Sequence, residues 1–300
     1  MTTRRAFLLT CAGAATLPWL SACGSLTSAS GSGKWFRLSL AQWSFHRALF
    51  SGEMRHLDFA AAANELGFEG VEYVNAFFKD KAEDSEFIGE MKSRCADHGI
   101  ESLLIMCDGE GALGDANPRQ RRRAVENHFK WLDAAAGLGC HSIRVNAQSS
   151  GSWDEQAERS ADGLHQLCEA GDQRGLSVIV ENHGGLSSNG KWLAQVMELV
   201  AHPACGTLPD FGTFNLGGGN SYDRYLGVTE LMPYAKAVSA KSHDFDIDGN
   251  EVNTDFSRML RIVKHSGYRG FIGVEYEGGH HSEREGIILT RDLLIKHQCS

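Results

Sequence analysis

Short apolar runs alternate with longer amphipathic stretches from residue 35 onward, with a repeat of about 30 residues, the length of a β-α-β unit. Eight of the short runs predict β-strands: Phe36–Phe45, Gly70–Val74, Ser102–Cys107, Ser142–Asn146, Ser177–Asn182, Gly206–Asp210, Ala237–His243 and Phe271–Tyr276. Glycine ends many of the stretches between them, as it does where a helix gives way to a strand. Eight strand–helix units predict a parallel sheet that closes as a single-domain (β/α)8 TIM barrel, with an open doubly wound sheet as the alternative.

The amphipathic stretches predict the helices of this barrel. They are Leu57–Leu66, Glu86–Asp97, one long helix from Asn117 to Ala136, Trp153–Arg174, Asn189–Ala201, Asp255–His265 and Glu283–His297. The segment Tyr222–Tyr234 is the weakest helix of the pattern, because Gly227 and Pro233 interrupt it. No Gly-x-Gly-x-x-Gly motif follows the first strand, so a dinucleotide-binding fold lacks its main signature.

The first residues of the chain are typical of an export signal. Arg4 and Arg5 precede an apolar stretch from Ala6 to Leu20, which is shorter than the ~20 residues that a helix needs to cross a bilayer. The paired arginines, followed by Phe-Leu, resemble the twin-arginine signal. A general secretory leader with two chance arginines is the alternative. The sequence therefore predicts export by the twin-arginine route to the periplasm or the cell envelope.

A second signal follows at Leu20-Ser-Ala-Cys23 and resembles a lipobox. We predict that Cys23 is acylated and that the protein contacts a membrane only through this lipid. The alternative is cleavage near Ala22 by an ordinary signal peptidase. Residues 24–34 are rich in Ser and Gly, which is typical of a flexible tether. We therefore divide the chain into a signal peptide (1–23), a tether (24–34) and one barrel domain (35–300), whose length suits a barrel of ~250 residues.

The composition limits the ligands of this domain. The formal net charge is −9 at pH 7, whereas a protein that binds nucleic acid needs a basic surface. We therefore expect a neutral or weakly charged small molecule as the partner and no nucleic acid. The chain has 8 cysteines, of which Cys11 and Cys23 lie in the leader. The others form no Cys-x-x-Cys pair, and we interpret most of them as small buried apolar residues.

Four potential metal ligands lie at the ends of four successive apolar strands: Glu181, Asp210, His243 and Glu275. The C-terminal ends of parallel barrel strands converge on one face, so these side chains are expected to lie together. Packing three carboxylates there without a counter-ion costs several kcal/mol each. The pattern therefore predicts one divalent metal ion. Its oxygen-rich ligand set favours Mn²⁺, Mg²⁺ or Co²⁺, with Zn²⁺ as the alternative.

Polar residues also recur on one face near the ends of several strands, because strand side chains alternate in direction. The pairs that share a face are Arg144 with Asn146, Glu181 with His183, and Lys241 with His243. We predict that five residues of this kind contact the substrate: His46, Arg144, Asn146, His183 and Lys241. The alternative is a structural role, in which Lys241 pairs with a buried carboxylate and His183 holds Asp210 or a loop carbonyl.

Segments 177–183, 206–215, 237–246 and 268–278 resemble the xylose-isomerase-like barrels. That superfamily contains sugar isomerases, ketose 3-epimerases, hydroxypyruvate isomerases, inosose dehydratases and endonuclease IV. The resemblance covers the mature domain in architecture and is sharpest from Ser177 to Gly279. The Glu, Asp, His, Glu metal set of the family falls on the four strand-end residues named above, in order and spacing.

The resemblance also implies catalytic roles. In the epimerase relatives two metal-bound glutamates exchange protons with carbon, which implies that Glu181 and Glu275 are the acid–base pair, with His183 as a further candidate for proton transfer. Glu72 resembles a recurrent glutamate of the second strand and is implied to lie in the substrate site. One departure is Thr213, which stands where many relatives carry histidine. The additional histidines of the endonuclease zinc cluster are not evident, which argues against DNA repair.

Together these features predict an exported, lipid-anchored, metal-dependent isomerase or epimerase that acts on a keto- or hydroxy-sugar through an enediolate. The first alternative is a metal-dependent lyase or dehydratase that cleaves 3-keto-glycosides or inososes, because both reactions begin with abstraction of an α-proton. The second alternative is a non-catalytic sugar-binding lipoprotein, against which the intact Glu181 and Glu275 argue.

Overall fold

A computed structural model describes residues 33–299, and its centre is a sheet of parallel strands. The strands are β1 (Arg37–Ala41), β2 (Gly70–Val74), β3 (Glu101–Met106), β4 (Ser142–Val145), β5 (Ser177–Glu181), β6 (Cys205–Leu208), β7 (Asn215–Gly217), β8 (Asn220–Ser221), β9 (Val238–Ser242) and β10 (Phe271–Tyr276). The predicted export signal, the acylation site Cys23 and the tether up to residue 32 lie outside the described residues.

Eight of these strands form one sheet in the order β6-β5-β4-β3-β2-β1-β10-β9, while β7 and β8 form a separate antiparallel hairpin. Backbone hydrogen bonds join the two edges of the curled sheet. The N–H of Phe211 donates to the carbonyl of Ser239 at 3.0 Å, and the N–H of Ser239 donates to the carbonyl of Pro209 at 3.0 Å. The predicted parallel (β/α)8 fold is therefore confirmed, and the open doubly wound sheet is not formed.

Ten α-helices connect the strands of the described chain. They are α1 (His46–Ser51), α2 (Phe59–Glu65), α3 (Ser85–Asp97), α4 (Pro118–Asn127), α5 (Phe129–Leu138), α6 (Trp153–Asp172), α7 (Gly190–Val200), α8 (Arg224–Leu231), α9 (Phe256–His265) and α10 (Glu283–Gln298). Two of them, α6 and α10, begin at capping boxes formed by Ser152 with Glu155 and by Ser282 with Glu285. Within residues 33–299, none of the helices combines the length and the apolarity that a membrane crossing requires.

The long helix predicted from Asn117 to Ala136 is in fact two helices, α4 and α5, that meet at His128. The backbone N–H of His128 bonds to the carbonyl of Val125 at 3.1 Å, three residues back. Its ring Nδ1 lies 2.7 Å from the carbonyl oxygen of Ala124. The regular α-helical hydrogen bonding, from each N–H to the carbonyl four residues back, is therefore interrupted at this position.

The first strand is shorter than predicted, because β1 ends at Ala41 and residues Gln42–Phe45 form a 3₁₀ turn. The side chain of Gln42 accepts the backbone N–H of Val74 at 3.1 Å and thereby fastens this turn to β2. The last four residues of the predicted strand Phe36–Phe45 are therefore not extended, and His46 begins α1 instead of following a strand end. The hairpin of β7 and β8 has no counterpart among the predicted elements.

Two apolar layers hold the strands in place. The larger layer packs the helices on the outer face and includes the fully buried Trp131 and Trp192. The smaller layer lies on the opposite face and includes Val74 and Ile179. Ile179 precedes Glu181 by two positions on β5, so the two residues share a face. The inside of the barrel thus has an apolar floor below the polar residues at the C-terminal ends of the strands.

Two helix glycines provide a matched test of this packing. A Cβ at Gly163 of α6 would lie 1.9 Å from the carbonyl oxygen of Leu113, whereas a Cβ at Gly89 of α3 would have no atom within 4 Å. We expect Gly163→Ala to lower the free energy of unfolding by about 1–3 kcal/mol through overpacking. We expect Gly89→Ala to raise it by about 0.5–1 kcal/mol, because alanine favours a helix interior. Urea unfolding measures both, and changes of the same sign would contradict the close contact at Gly163.

Candidate active site

The ends of β4 and β5 bring a buried arginine onto a buried glutamate. Arg144 and Glu181 are 4% and 1% exposed, and Nε and Nη2 of Arg144 both contact Oε2 of Glu181. Nη1 of Arg144 donates to Oδ1 of Asp108 at 2.9 Å. Burial by itself would lower the pKa of Arg144, but Glu181 and Asp108 raise it. The guanidinium therefore remains charged and holds two carboxylates in place.

A lysine makes the corresponding contact on β9 and β10. Lys241 lies opposite Glu275 in the strand register, and its Nζ is 3.0 Å from Oε1 of Glu275 and 2.9 Å from Oε2 of Glu277. Trp43 Nε1 donates to the other oxygen of Glu277 at 2.9 Å. Burial would lower the pKa of Lys241, but the surrounding carboxylates raise it well above its usual value. This ammonium group is therefore a fixed positive charge.

Asp210, just beyond β6, is bonded to donors of the chain itself. Its Oδ1 accepts the backbone N–H of Gly212 at 2.7 Å, the N–H of Thr213 at 2.8 Å and the Thr213 hydroxyl at 2.6 Å. Its Oδ2 accepts the hydroxyl of Ser239 at 2.7 Å, and the same hydroxyl lies 3.3 Å from Oε2 of Glu275. Ser239 therefore lies between two of the residues that the sequence predicts as metal ligands.

Glu72 of β2 lies fully buried on the same face. Ser39 Oγ donates to its Oε1 at 2.6 Å, and the carboxyl lies against Gly273, where a Cβ would come within 2.4 Å of Oε1. Burial raises the pKa of Glu72 to about 8 against the effect of the Ser39 hydrogen bond, and the charges of Glu275 and Glu181 act in the same direction as burial. At neutral pH this carboxyl is therefore mostly protonated.

Glu275 has a pKa suited to proton transfer. Burial raises the pKa of Glu275 to about 7; Lys241 opposes this rise, while Glu181 and Asp210 add to it. A carboxyl with a pKa near the working pH can both accept and return a proton. Strongly perturbed acids of this kind concentrate at functional sites.

Two buried acceptor atoms at this face, Glu181 Oε1 and Asn146 Oδ1, have no hydrogen-bond donor among residues 33–299. Oε2 of the mostly protonated Glu72 has no hydrogen-bond partner there either. Asn146 is held by its other atom, because Nδ2 donates to Oδ1 of Asp108 at 2.6 Å. Leaving a buried acceptor without a donor costs about 1–3 kcal/mol. The hydroxyl groups of a polyol or sugar are donors of the kind that these atoms lack.

His183 lies at the outer edge of this group and is exposed. It lines a polar cavity of ≈ 400 Å³ together with Asn146, Gln148 and Ser187. Asn146 also bonds to Asp108, which bonds to Arg144, so the cavity adjoins the buried ion pair. The predicted contacts of Arg144, Asn146 and His183 therefore fall in one region of the barrel mouth.

The remaining two predicted histidines have contacts other than Glu181, Asp210 and Glu275. His243 follows the end of β9, is half-buried, and donates its backbone N–H to Glu251 at 3.2 Å. His46 opens α1, and its ring stacks on Trp43 at 5.0 Å between centroids. In the part of the chain that the structure describes, no recorded hydrogen bond or ion pair joins either imidazole to Glu181, Asp210 or Glu275.

The arrangement of these donors does not fit a divalent ion. Among the described residues, no group of three or more His, Cys, Asp or Glu side chains is placed to hold a metal. Glu181 and Glu275 are bonded to Arg144 and Lys241, and both oxygens of Asp210 accept hydrogen bonds. An ion at this position would have to displace a bonded cationic side chain.

Four further residues belong to the site although the sequence analysis did not select them: Trp43, Asp108, Ser239 and Glu277. Asp108 directly follows the apolar residues of β3, so its strand-end position was a usable signal. Ser239 lies two positions before Lys241, and Glu277 lies two positions after Glu275. This spacing was a weaker signal, because serine and glutamate are common at strand ends. The indole of Trp43 reaches Glu277 from a turn, which strand periodicity does not predict.

The raised pKa of Glu72 gives a pH-dependent prediction. Because its folded pKa of about 8 exceeds the usual 4.5, the folded state binds a proton that the unfolded state releases, so stability falls as pH rises between these values. We expect Glu72→Gln to stabilise the protein increasingly from pH 5 to pH 8, by at most ~1.4 kcal/mol per pH unit. Urea unfolding across this range, with the exposed Glu126→Gln as control, tests it. A pH-independent difference between the two variants would contradict the raised pKa.

Two curated proteins are similar in sequence. A Danio rerio protein named for hydroxypyruvate isomerase is 26% identical over 241 residues, which cover 72% of this chain and 82% of that protein. The C-glycoside deglycosidase alpha subunit of Arthrobacter globiformis is 37% identical over 65 residues, which cover 22% of this chain and 18% of the subunit. The second similarity is therefore confined to a short segment.

Solved structures share the fold at low sequence identity. D-psicose 3-epimerase from Clostridium cellulolyticum H10 has a TM-score of 0.65 at 12% identity, covering 88% of this chain and 99% of that one. The 3-keto-D-glucoside 4-epimerase from E. coli has a TM-score of 0.66 at 15% identity, with coverages of 88% and 99%. A Mycobacterium smegmatis xylose isomerase-like TIM barrel protein in complex with magnesium has a TM-score of 0.66 at 15% identity, with coverages of 88% and 96%.

The sequence profile of the xylose isomerase-like TIM barrels matches residues 60–296, which is most of the chain. The match begins in α2 and ends in α10, so it includes every strand of the barrel except β1. The strand-end acids Glu72, Glu181, Asp210 and Glu275 all lie inside it. The chain therefore belongs to the xylose isomerase-like TIM barrel family.

Proposed function

We propose that this protein is a sugar isomerase or epimerase that moves a proton on a keto- or hydroxy-sugar through an enediolate. The observation that carries the proposal is the pair of buried strand-end glutamates, Glu181 and Glu275, each bonded to a cationic side chain. The names of its relatives agree with this class, since the proteins of similar sequence or fold include a hydroxypyruvate isomerase and two sugar epimerases.

Glu275 is the residue best suited to remove the proton. Its pKa of about 7 leaves a large fraction ionised at neutral pH, yet the carboxylate is more basic than an ordinary glutamate. When it accepts the α-proton, the C–H bonding pair becomes the carbon–carbon double bond of the enediolate, and the carbonyl oxygen takes the negative charge. Return of a proton to the same carbon from the other side gives an epimer, and return to the neighbouring carbon gives an isomer.

Glu181 and Asn146 are proposed to hold the sugar. Arg144 donates to Oε2 of Glu181, while Oε1 is a buried acceptor without a donor among the described residues. Oδ1 of Asn146 is also a buried acceptor without a donor there. Each atom can accept one substrate hydroxyl, and Glu181 Oε1 can also exchange a proton. The adjoining cavity of ≈ 400 Å³ has room for a sugar beside His183.

A β-elimination on a 3-keto-glycoside is the second candidate function. The local similarity to the C-glycoside deglycosidase alpha subunit favours it, although that similarity covers only 22% of this chain. The first step is the same removal of an α-proton. The two reactions diverge afterwards, because elimination expels the group on the β-carbon, whereas epimerisation returns a proton.

Whether the proposed reaction needs a metal ion is a separate question from which side chains transfer the proton. The magnesium complex of the Mycobacterium smegmatis protein supports a metal in barrels of this fold. The hydrogen bonds and ion pairs that already occupy Glu275 and Asp210 oppose it in this chain. The steps above therefore use only the side chains of the protein.

We further propose export by the twin-arginine route and acylation at Cys23, which would place the enzyme in the periplasm or cell envelope on a lipid anchor. The support is the sequence alone: the arginine pair Arg4 and Arg5, the short apolar stretch and the lipobox-like segment that ends at Cys23.

The proton-transfer proposal predicts that Glu275→Gln and Glu181→Gln slow the exchange of substrate hydrogen with solvent by about 10²–10⁴-fold, because a positioned acid or base contributes that much. The measurement is deuterium incorporation at carbon, followed by NMR for a panel of keto-sugars and 3-keto-glycosides in deuterated water. Release of the glycoside leaving group, measured in the same samples, separates elimination from epimerisation.

Glu126→Gln, which removes one exposed charge on α4, serves as the matched control and should keep the wild-type rate. Exchange at the wild-type rate in Glu275→Gln would assign the proton to another group. A wild-type protein that exchanges no hydrogen with any member of the panel would contradict the proposed function itself.

Export is tested separately by replacing Arg4 and Arg5 with lysine. This change keeps the charge but removes the paired arginines that the twin-arginine route requires, so we expect unprocessed protein to accumulate in the cytoplasm. Cell fractionation and immunoblotting measure it. Normal processing of the double variant would assign the leader to the general secretory route instead.

A further inference from the structure

The oxygens of the three predicted carboxylate ligands are nearly all bonded by the chain itself. Both oxygens of Asp210 accept hydrogen bonds, and those of Glu275 contact Lys241 and Ser239. Arg144 holds Oε2 of Glu181. Among the described residues, Glu181 Oε1 is the one buried oxygen of these three carboxylates with no hydrogen-bond partner within reach. One such oxygen is fewer than the several ligands that a divalent cation needs.

Lys241 already supplies positive charge where a cation would act. Lys241 is only 4% exposed, and its Nζ contacts Glu275 and Glu277. An ammonium group has three donors, and the structure records two acceptors for this one. One N–H therefore remains for an oxygen of a bound molecule.

We propose that Lys241 takes the place of a divalent cation in this protein, and that its remaining N–H stabilises the enediolate oxygen without a bound metal. This inference rests on the proposed proton transfer. As Glu275 accepts the α-proton, the former carbonyl oxygen gains the charge and Lys241 donates a hydrogen bond to it. A preorganised cation or donor at a developing oxyanion is a general means of lowering such a barrier. Nothing is oxidised or reduced, and the ammonium keeps its protons.

The geometry around Lys241 fits this role. Lys241 and Glu275 are register partners on adjacent strands, so base and cation come from a rigid sheet rather than from loops. Glu277 holds the ammonium from the outer side and is itself held by Trp43 at 2.9 Å. The Ser239 hydroxyl, two residues below Lys241, fills the space between Asp210 and Glu275.

The first test measures metal alone and needs no substrate. Full-length wild-type protein is treated with EDTA, dialysed and titrated with Mn²⁺, and free Mn²⁺ is followed by electron paramagnetic resonance. We expect no stoichiometric binding to the wild type. We expect Lys241→Ala, which frees Glu275 and Glu277, to bind Mn²⁺ about tenfold more tightly or better, a factor that corresponds to 1.4 kcal/mol. Lys92→Ala, an exposed lysine on α3, is the matched control.

A second variant that keeps the positive charge tests the inference even if Lys241→Ala does not fold. Lys241→Arg should exclude Mn²⁺ as the wild type does, and circular dichroism reports whether each variant is folded. One Mn²⁺ retained per wild-type chain, and lost on Asp210→Asn, would overturn the inference. Equal Mn²⁺ affinity in folded Lys241→Ala and in the wild type would also overturn it.

The second test measures the reaction. We expect EDTA-treated wild type to keep its rate of hydrogen exchange, and Lys241→Ala to lose it and to recover part of it with added methylammonium. A loss of exchange on EDTA treatment that Mn²⁺ restores would overturn the inference and leave the proposed function intact. Absence of both metal binding and exchange in the wild type would instead contradict the proposed function.

Discussion

Six carboxyl groups and two cationic side chains share the C-terminal end of this barrel, and the balance of charge among them constrains everything else at the site. Moving one such ion out of water costs several kcal/mol even after relaxation, and an opposite charge in good geometry must offset that cost. Arg144 forms an ion pair with Glu181, and Lys241 forms one with Glu275, so each cation offsets the cost of burying its partner. Glu72 has no cationic partner in the described structure, and burial raises its pKa to about 8, so protonation removes its charge.

The backbone of the barrel makes this balance possible. The register of β9 and β10 sets Lys241 beside Glu275. The register of β4 and β5 pairs Arg144 with Ile179, so Glu181 lies two residues further along β5, on the same face and within reach of the arginine side chain. Small residues leave the room that the carboxyl groups need. Gly273 accommodates the carboxyl of Glu72, and a methyl group there would come within 2.4 Å of it. A larger residue at Gly273 would therefore crowd the carboxyl of Glu72.

The same balance connects the fold to its proposed chemistry. A barrel mouth in which every acid were fully neutralised could hold a sugar but could not take its proton. Here the pKa of Glu275 stays near 7 because burial and the neighbouring acids outweigh the effect of Lys241. Proteins of the same fold include two sugar epimerases and a protein solved in complex with magnesium, and one fold can carry different chemistries in its sites.

The sequence by itself determined the barrel and the positions of its acids. Apolar runs at a regular spacing specify a parallel sheet, and an acid that ends such a run must lie at the C-terminal face, which located Glu181, Asp210 and Glu275. Only the tertiary structure decided their partners. Hydrogen bonds between side chains depend on distances between strands far apart in the chain, and periodicity carries no such information. That is why the pairing of Arg144 with Glu181, and of Lys241 with Glu275, emerged only once the strands were packed side by side.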